Sequence, residues 1–448
     1  MTGSAASHEA MRALMAPRSV AVIGATERAD ASSSYVMRNL MAFGFSGAII
    51  PVHPKAETVF GIAAIPSLDR LDAPADVAVI GIGAAHVLSA LEDAGKAGVK
   101  AAVVLASGFA ETDEEGRVRQ QALVGVARKH GMAVCGPNCL GLFNLQSGAA
   151  LYSSTLSPNL RKGELAILSH SGASAIALAN SGRFGLSHIV SSGNSAATDL
   201  PDYLAYLADD EATRVIGLVV EAIRDPISFS SAMQVAHAAG KKVIALRAGK
   251  SSKGAEAAAA HTGSLAAANE AYEAFFRRTG VIEVADMDEF VETAALCLML
   301  KAKPARKGVA VVGVSGGGVA HVSDIAEQVG IDLPEFSQQT IARLKAMLPS
   351  FATPQNPVDT TGVVFAHGGV YGSVLEILAQ DASVGLIVAT QDAPVGLDAG
   401  GAAEYAGIAD AVAAYAKDAT VPAIFMSNLS SGHHPVVRDR LAGVPVLN

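Results

Sequence analysis

His261 lies in the run Gly254-Ala-Glu-Ala-Ala-Ala-Ala-His261-Thr-Gly-Ser264, with nothing bulky near the imidazole on either side. A core histidine normally has large apolar neighbours in its own segment. This one stands on small residues that can move. A helix is expected to start directly after it. Thr262 or Ser264 can cap that helix, and Leu265, Ala268, Tyr272, Phe275 and Phe276 fall at helical spacing. A helix N-terminus carries partial positive charge and free N–H groups. It disfavours an imidazolium, so the ring stays neutral and nucleophilic, and it favours any anion the ring acquires. A neutral histidine so placed is suited to carrying a phosphoryl group. A solvent-exposed loop histidine fits the same residues.

Glu221 follows an apolar run, Val215–Val220, and precedes His261 by 40 positions. A carboxylate there can accept an imidazole N–H, fix the tautomer and leave the other nitrogen free to attack phosphorus. A surface glutamate paired with Arg224 is the competing reading. Three turns are shaped for an anion. Ser169-His-Ser-Gly-Ala173 places two serines and a glycine ahead of a helix expected over 175–181, where side-chain and backbone donors converge. Simple capping by Ser171 explains the same pattern, and His170 is a rival nucleophile, more confined than His261. Gly24-Ala-Thr-Glu-Arg-Ala-Asp-Ala-Ser-Ser-Ser34 follows a strand but lacks G-x-G-x-x-G spacing. The next strand ends in Pro51-Val-His-Pro-Lys55 where a nicotinamide site needs an acidic residue, which argues against NAD. Lys55 offers a cation to a nucleotide phosphate instead, unless it is an ordinary solvated lysine. Ser315-Gly-Gly-Gly318 allows close backbone approach or simply a tight turn.

These positions need strands to carry them. Apolar runs rich in β-branched residues recur at Ser19–Ile23, Ala48–Val52, Val77–Ile82, Ala101–Leu105 and Met132–Cys135, separated by helical stretches such as Tyr35–Ala42 and Ala85–Ala97. That alternation implies βαβ units and a parallel sheet, with ligands beyond the C-terminal strand ends. A second block runs through Glu164–Leu168, Ser187–Val190, Val215–Val220 and Lys242–Leu246 to a helix over Met287–Lys301. A third has strands at Val309–Val314, Val384–Ala389, Ala423–Met426 and Val444–Leu447. Ser153–Lys162 and Lys301–Lys307 are read as linkers. The expected domains are 1–150, 151–303 and 304–448.

With 448 residues, half of them hydrophobic, no Trp and 5% aromatic, the chain fits sheets filled by Ala, Val, Leu and Ile. A net charge of −9 argues against nucleic-acid binding. Cys135, Cys139 and Cys297 are an odd, sparse set, which points to a reducing, cytoplasmic setting. No zinc-ligand spacing is present, so no metal site is expected. No signal peptide or bilayer-length apolar run is seen.

In order, Val20-Ala-Val-Ile-Gly-Ala25, Val52-His-Pro-Lys55, Ser107-Gly-Phe-Ala-Glu111, Gly136-Pro-Asn-Cys139, Ser169-His-Ser-Gly172, Ser192-Gly-Asn194, His261-Thr-Gly-Ser264, Ser315-Gly-Gly-Gly318 and Asn356-Pro-Val-Asp359 span nearly the whole chain. The set resembles the CoA-binding and phosphohistidine portion of the NDP-forming acyl-CoA synthetases, relatives of succinyl-CoA synthetase. The resemblance implies an α/β protein with a Rossmann-like CoA-binding domain followed by two flavodoxin-like parallel-sheet domains. It implies that His261 is the phosphorylated histidine, Glu221 its partner, and Ser171, Gly172 and Ser264 the phosphate holders. It puts coenzyme A at Gly24, Ala25, Thr26, Lys55, Asn138 and Cys139. Two departures stand out: the turn over Ala29–Ser34 holds less glycine than usual, and His53 stands where Asn is usual.

The implied reaction forms an acyl-CoA thioester from a carboxylic acid, CoA and ATP through a phosphohistidine relay. ATP and Mg²⁺ would bind an ATP-grasp module, which this chain lacks; a partner subunit or further region is expected, and an oligomer with it. Ser192, Gly193 and Ser195 are expected near the acid, whose identity they do not specify. Two other classes fit the fold: a non-catalytic CoA-responsive protein, and a CoA-independent transferase handling, for example, carbamoyl groups.

Overall fold

The structure, a computed structural model, describes residues 6–254, 256, 269–300, 303–365 and 368–448. It divides into two compact units, Met1–Ala294 and Ala295–Asn448.

The first unit opens with helix α1 (His8–Met15), capped by Ser7, and then builds a five-stranded parallel sheet. Its strands are β1 (Ser19–Ile23), β2 (Ala48–Val52), β5 (Val77–Ile80), β6 (Ala101–Val104) and β7 (Ala133–Cys135), in the order β2-β1-β5-β6-β7; the short hairpin β3 (Thr58–Val59) and β4 (Ile62–Ala63) lies outside it. Every residue of β5, β6 and β7 is buried. Such strands read as continuous apolar runs because helices cover both faces. These are α2 (Ser32–Ala42), α3 (Ala84–Lys96) and α4 (Glu114–His130).

A second sheet follows in the same unit: β8 (Gly141–Asn144), β9 (Ala149–Tyr152), β10 (Lys162–Ser169), β11 (Leu186–Ser191), β12 (Val215–Val220), β13 (Lys242–Arg247) and β14 (Ile282–Val284). The order is β14-β13-β12-β10-β11-β8-β9. β8 runs antiparallel to both β11 and β9 and the other pairs are parallel. The domain boundary expected near residue 150 therefore falls inside the β8–β9 hairpin, which pairing assigns to the second sheet. Helices α5 (Gly172–Ala179), α6 (Leu200–Asp209) and α7 (Pro226–Ala238) and that over Asn269–Thr279 complete the unit, and the helix Met287–Met299 runs across its boundary at Ala294.

The two sheets share a core. Val22, Val103 and Cys135 of the first and Leu142, Leu168, Val190 and Leu218 of the second join one apolar cluster with Leu14 and Met15 of α1 and Leu204 and Leu207 of α6. Each such leucine contributes about 2 kcal/mol by leaving water. The edge strand β7 is also tied polarly: the Val134 N–H donates to Thr198 Oγ1 at 2.8 Å, removing an open edge group. α1 packs against β6, β7 and α6. The Asn144 amide donates to Met15 O at 3.0 Å and the Ala6 N–H to Asp202 Oδ1 at 3.1 Å.

The second unit has one parallel sheet, order β16-β15-β17-β18-β19, from β15 (Gly308–Gly313), β16 (Val358–Asp359), β17 (Val384–Thr390), β18 (Ala423–Met426) and β19 (Val446–Leu447). Helices Gln338–Met347, Gly368–Ala379 and Ala406–Ala416 pack a core of Leu344, Leu375, Ile387, Val412 and Phe425. Helix Gly316–Gln328 lies with the smaller cluster of Val311, Val322, Val388 and Ile424. No helix among the described residues is long and apolar enough to cross a membrane.

Candidate active site

Three neighbouring strands of the second sheet, β10, β12 and β13, end on one edge. After β10, Ser171 caps α5: its hydroxyl accepts from the Ser174 N–H at 3.3 Å, and its own N–H donates to Ser169 Oγ at 3.1 Å. The first-turn N–H groups at Gly172 and Ala173 have no acceptor within the helix, so the end presents donors. Gly172 is packed tightly: an added Cβ would sit 2.7 Å from Leu140 Cδ1.

Glu221 directly follows β12 and is half-buried. Its N–H donates to His170 Nδ1 at 3.1 Å. Two residues on, the Ile223 N–H donates to Tyr272 Oη at 3.1 Å. Arg224 Nη1 donates to Asp199 Oδ2 at 3.2 Å and to Ser195 O at 3.3 Å. The guanidinium thus engages Asp199, a partner the Glu221–Arg224 reading did not foresee.

His261 and Ser264 lie outside the described residues. The chain on either side of their segment returns to this edge. Arg247 ends β13, its guanidinium stacks 4.7 Å from the Tyr272 ring centroid, and it donates to Asn269 Oδ1 at the start of helix Asn269–Thr279. Tyr272 and Phe275, two positions of the expected helical stripe, pack against the core, and Phe276 is buried within it.

His170 is no exposed nucleophile. Its side chain is 1% exposed. Because Nδ1 accepts a backbone N–H, the ring carries its proton on Nε2, which faces Asp199 Oδ1 at 3.4 Å. Burial alone would raise the Asp199 carboxyl, but the His170 hydrogen bond and the charge of Arg224 outweigh it, and the group is held below the usual carboxylate range.

On the first sheet the corresponding edge carries the residues expected to meet coenzyme A. Gly24 follows β1 with φ +77°, and a Cβ there would lie 2.5 Å from Ile82 Cγ2. Only glycine fits that turn. Ala25 is fully buried, Thr26 half-buried and Lys55 exposed. The N-cap of α2, Ala31, makes no side-chain hydrogen bond, and the buried Ser34 hydroxyl has no partner among the described residues. An anion at this helix end meets open donors, and Lys55, just past the end of the neighbouring strand β2, is an exposed cation, so the residues present suit a phosphate-bearing ligand. His53 does what an asparagine would do: its Nδ1 accepts from the Lys55 and Ala56 N–H groups at 3.1 and 2.8 Å, folding the Lys55 turn. Cys139 differs. It is 7% exposed, and its thiol donates to Val104 O at 3.3 Å. A hydrogen bond with Cys135, then burial, push that thiol well above its ordinary value, so its side chain packs as a neutral group and only its backbone is left for a ligand.

A polar knot joins the two edges. Asn194 donates to Glu111 Oε2 at 2.5 Å and Gln120 Oε1 at 2.9 Å, while Asn138 donates to Asn194 Oδ1 at 3.3 Å. The Asn194 N–H donates to Pro137 O at 3.0 Å. Glu111 Oε1 accepts from the Gly108 and Phe109 N–H groups at 2.6 and 3.2 Å. Burial opposes ionisation of Glu111, but the Asn194 amide and these backbone donors prevail and lower its pKa. Asn138, with φ +56°, is held in this knot rather than at an open surface. Gln120, Asp199 and Tyr272 were not foreseen as site residues; Glu111 and Asn194 were visible only as parts of motifs.

In the second unit, Ser315 precedes helix Gly316–Gln328 without a side-chain cap, and a Cβ on Gly316 would lie 3.2 Å from Asp359 Oδ2. A carboxylate beside this helix end already supplies negative charge there. Among the described residues no group of three or more His, Cys, Asp or Glu is arranged to hold a metal.

Two family profiles match successive parts of the chain. A CoA binding domain profile matches residues 18–144, and a succinyl-CoA ligase like flavodoxin domain profile matches residues 162–297. The chain is 36% identical over 391 residues to a trans-feruloyl-CoA synthase of an unknown prokaryotic organism, covering 86% of this chain and 55% of that protein. It is 35% identical over 380 residues to the α subunit of an ADP-forming acetate–CoA ligase II of Pyrococcus furiosus, covering 83% of this chain and 80% of the subunit. Its fold is similar to that of the dinucleotide forming acetyl-coenzyme A synthetase 1 of Ca. Korarchaeum cryptofilum in complex with phosphate and ADP. The TM-score is 0.83 at 28% identity, over 98% of this chain and 93% of that one. The chain therefore spans little more than half of the first relative and four-fifths of the second.

Proposed function

Since the chain belongs to the ADP-forming acyl-CoA synthetases, we propose that it supplies the CoA-binding and phosphohistidine part of an acid–thiol ligase. An ATP-grasp subunit or domain supplies ATP and Mg²⁺. In this reading γ-phosphoryl of ATP reaches the carboxylic acid as an acyl phosphate, the CoA thiol attacks the acyl carbon, and acyl-CoA, ADP and phosphate result. His261 relays the phosphoryl group between the separate sites. One observation carries the reading: the open end of α5 at Ser171 and Gly172, Glu221 after β12, and both flanks of the segment holding His261 meet on one sheet edge. Glu221 accepts the imidazole N–H and leaves the other nitrogen its lone pair. The helix end and Ser264 offset the phosphate charge. Coenzyme A takes the first sheet's edge, with Gly24, Ala25 and Thr26 at the turn, Lys55 on a phosphate, and Asn138 and the Cys139 backbone below.

With an ATP-grasp partner and ATP labelled on the γ-phosphoryl, His261 becomes labelled and the label is lost on adding CoA and a carboxylic acid. A His261→Asn protein that labels fully overturns the relay. Glu221→Gln lowers the labelling rate about tenfold or more with CoA affinity unchanged; equal loss of both makes Glu221 structural. Calorimetry with CoA separates this reading from a CoA-independent transferase.

A further inference from the structure

We propose that His170 is a positioning residue, which holds the end of β12 so that Glu221 is presented in one orientation to the phosphoryl carrier. The proposal rests on the reading of Glu221 given above. It stands on the way one side chain closes a circuit of hydrogen bonds.

β10 leaves the sheet at Ser169, so beyond that point β12 loses its neighbour on this side. The last backbone contact is the His170 N–H, which donates to Val219 O at 3.2 Å. The imidazole then stands in for the missing strand: its Nδ1 accepts the Glu221 N–H at 3.1 Å. One residue thus grips β12 on both sides of Val220. The far nitrogen, Nε2–H, faces Asp199 Oδ1 at 3.4 Å. Asp199 is itself fixed as the N-cap of α6, where it accepts from the Leu200 N–H at 2.8 Å and its own N–H donates to Asp202 Oδ2 at 3.0 Å. Its second oxygen takes Arg224 Nη1 at 3.2 Å. Arg224 lies just past Glu221 in the same turn. The turn is therefore held at its start by His170 and at its end by Asp199, and those two hold each other.

A buried ring between two elements could serve packing alone. Its polar atoms argue otherwise. A leucine would fill similar volume without the cost of burying two nitrogens, whereas here both nitrogens face partners and one of them is the backbone of the proposed site residue. Displacing a catalytic group by about 1 Å can cost a hundredfold in rate, so the hydrogen bond matters through where the Glu221 carboxylate ends up.

The test is a double-mutant cycle on the rate of γ-phosphoryl transfer to His261, measured with the ATP-grasp partner, alongside CoA affinity. His170→Leu is expected to slow labelling about tenfold, the worth of one lost hydrogen bond, with CoA affinity unchanged. His170→Gln, whose amide can accept from Glu221 and donate toward Asp199, restores most of the rate. In a Glu221→Gln protein the His170→Leu change costs little more, because the carboxylate it orients is gone. An equal fold-loss on both backgrounds, or failure of Gln to rescue, overturns the positioning role and leaves a packing residue. If His170→Leu does not fold, His170→Asn takes its place in the cycle, since its shorter amide does not reach both partners. Absence of His261 labelling in the unaltered protein, or full-rate labelling of Glu221→Gln alone, refutes the underlying reading instead.

Discussion

Gly172 has no room for a side chain, although helix propensity alone would favour alanine there by about 1 kcal/mol. The added methyl would press on Leu140 at 2.7 Å. Gly172→Ala is therefore expected to cost about 1–3 kcal/mol, read as a lower Tm, and to slow phosphorylation by displacing the end of α5; an unchanged or raised Tm contradicts this. A second residue acts through pH. His188 in β11 is buried, 3.7 Å from Asp210, and neither ring nitrogen has a hydrogen-bond partner among the described residues. Burial lowers its pKa to about 4, and the Asp210 charge only partly opposes this. Unfolded, the ring takes up a proton near pH 6.5, so the unfolded state binds more protons between about 6.5 and 4. Stability from this group is complete above pH 6.5 and is lost as pH falls through that window, by about 3 kcal/mol in all. His188→Leu should flatten that part of a denaturation profile taken against pH; an unaltered slope would assign the acid sensitivity elsewhere. At this scale the chain was half legible. The strand end before Glu221 and the helix start at Ser171 were visible because such ends announce themselves locally. Asp199 and Gln120 were not, since the Asn194–Gln120 bond spans 74 positions and the His170–Asp199 bond 29.

Among the elements, the helix Asn269–Thr279 has the clearest task. Its Tyr272 hydroxyl accepts the Ile223 N–H, so the helix that follows the His261 segment also steadies the turn after Glu221. Tyr272→Phe is expected to destabilise the first unit by about 1 kcal/mol and to speed hydrogen exchange at the Ile223 amide, with the aromatic packing retained; unchanged exchange would mean the hydroxyl is incidental. Strands β1, β2, β12 and β18 follow their apolar runs from end to end. Val77–Ile82 and Ala101–Leu105 overran β5 and β6, because apolar residues continue past the strand ends into the loops. The β8–β9 hairpin escaped notice because all its strand residues are buried, which erases the alternation that marks an antiparallel pair. α2 begins at Ser32 rather than near Tyr35; three serines at a helix start look like loop.

For the whole molecule, composition was informative about class: parallel sheets built from small and β-branched residues. It said less about how sheets group. The first two share one core through α1 and α6, which no local pattern reveals, and the chain forms two compact units. Residues 1–294, produced alone, should unfold in one cooperative transition and retain CoA binding by calorimetry, because each unit has its own core. A gradual, non-cooperative melt would show that the first unit needs the second.

α1 bears on how chains of this family can be recombined. This short helix precedes the CoA-binding domain in the chain, yet it is wedged between that domain's β6 and β7 and the α6 of the next, with Ala6 and Met15 tied to Asp202 and Asn144. A chimaera that exchanges residues 18–144 with a relative's would keep a wedge cut for the old seam. Grafts should transplant α1 together with α6, so that both faces of the seam come from the same parent.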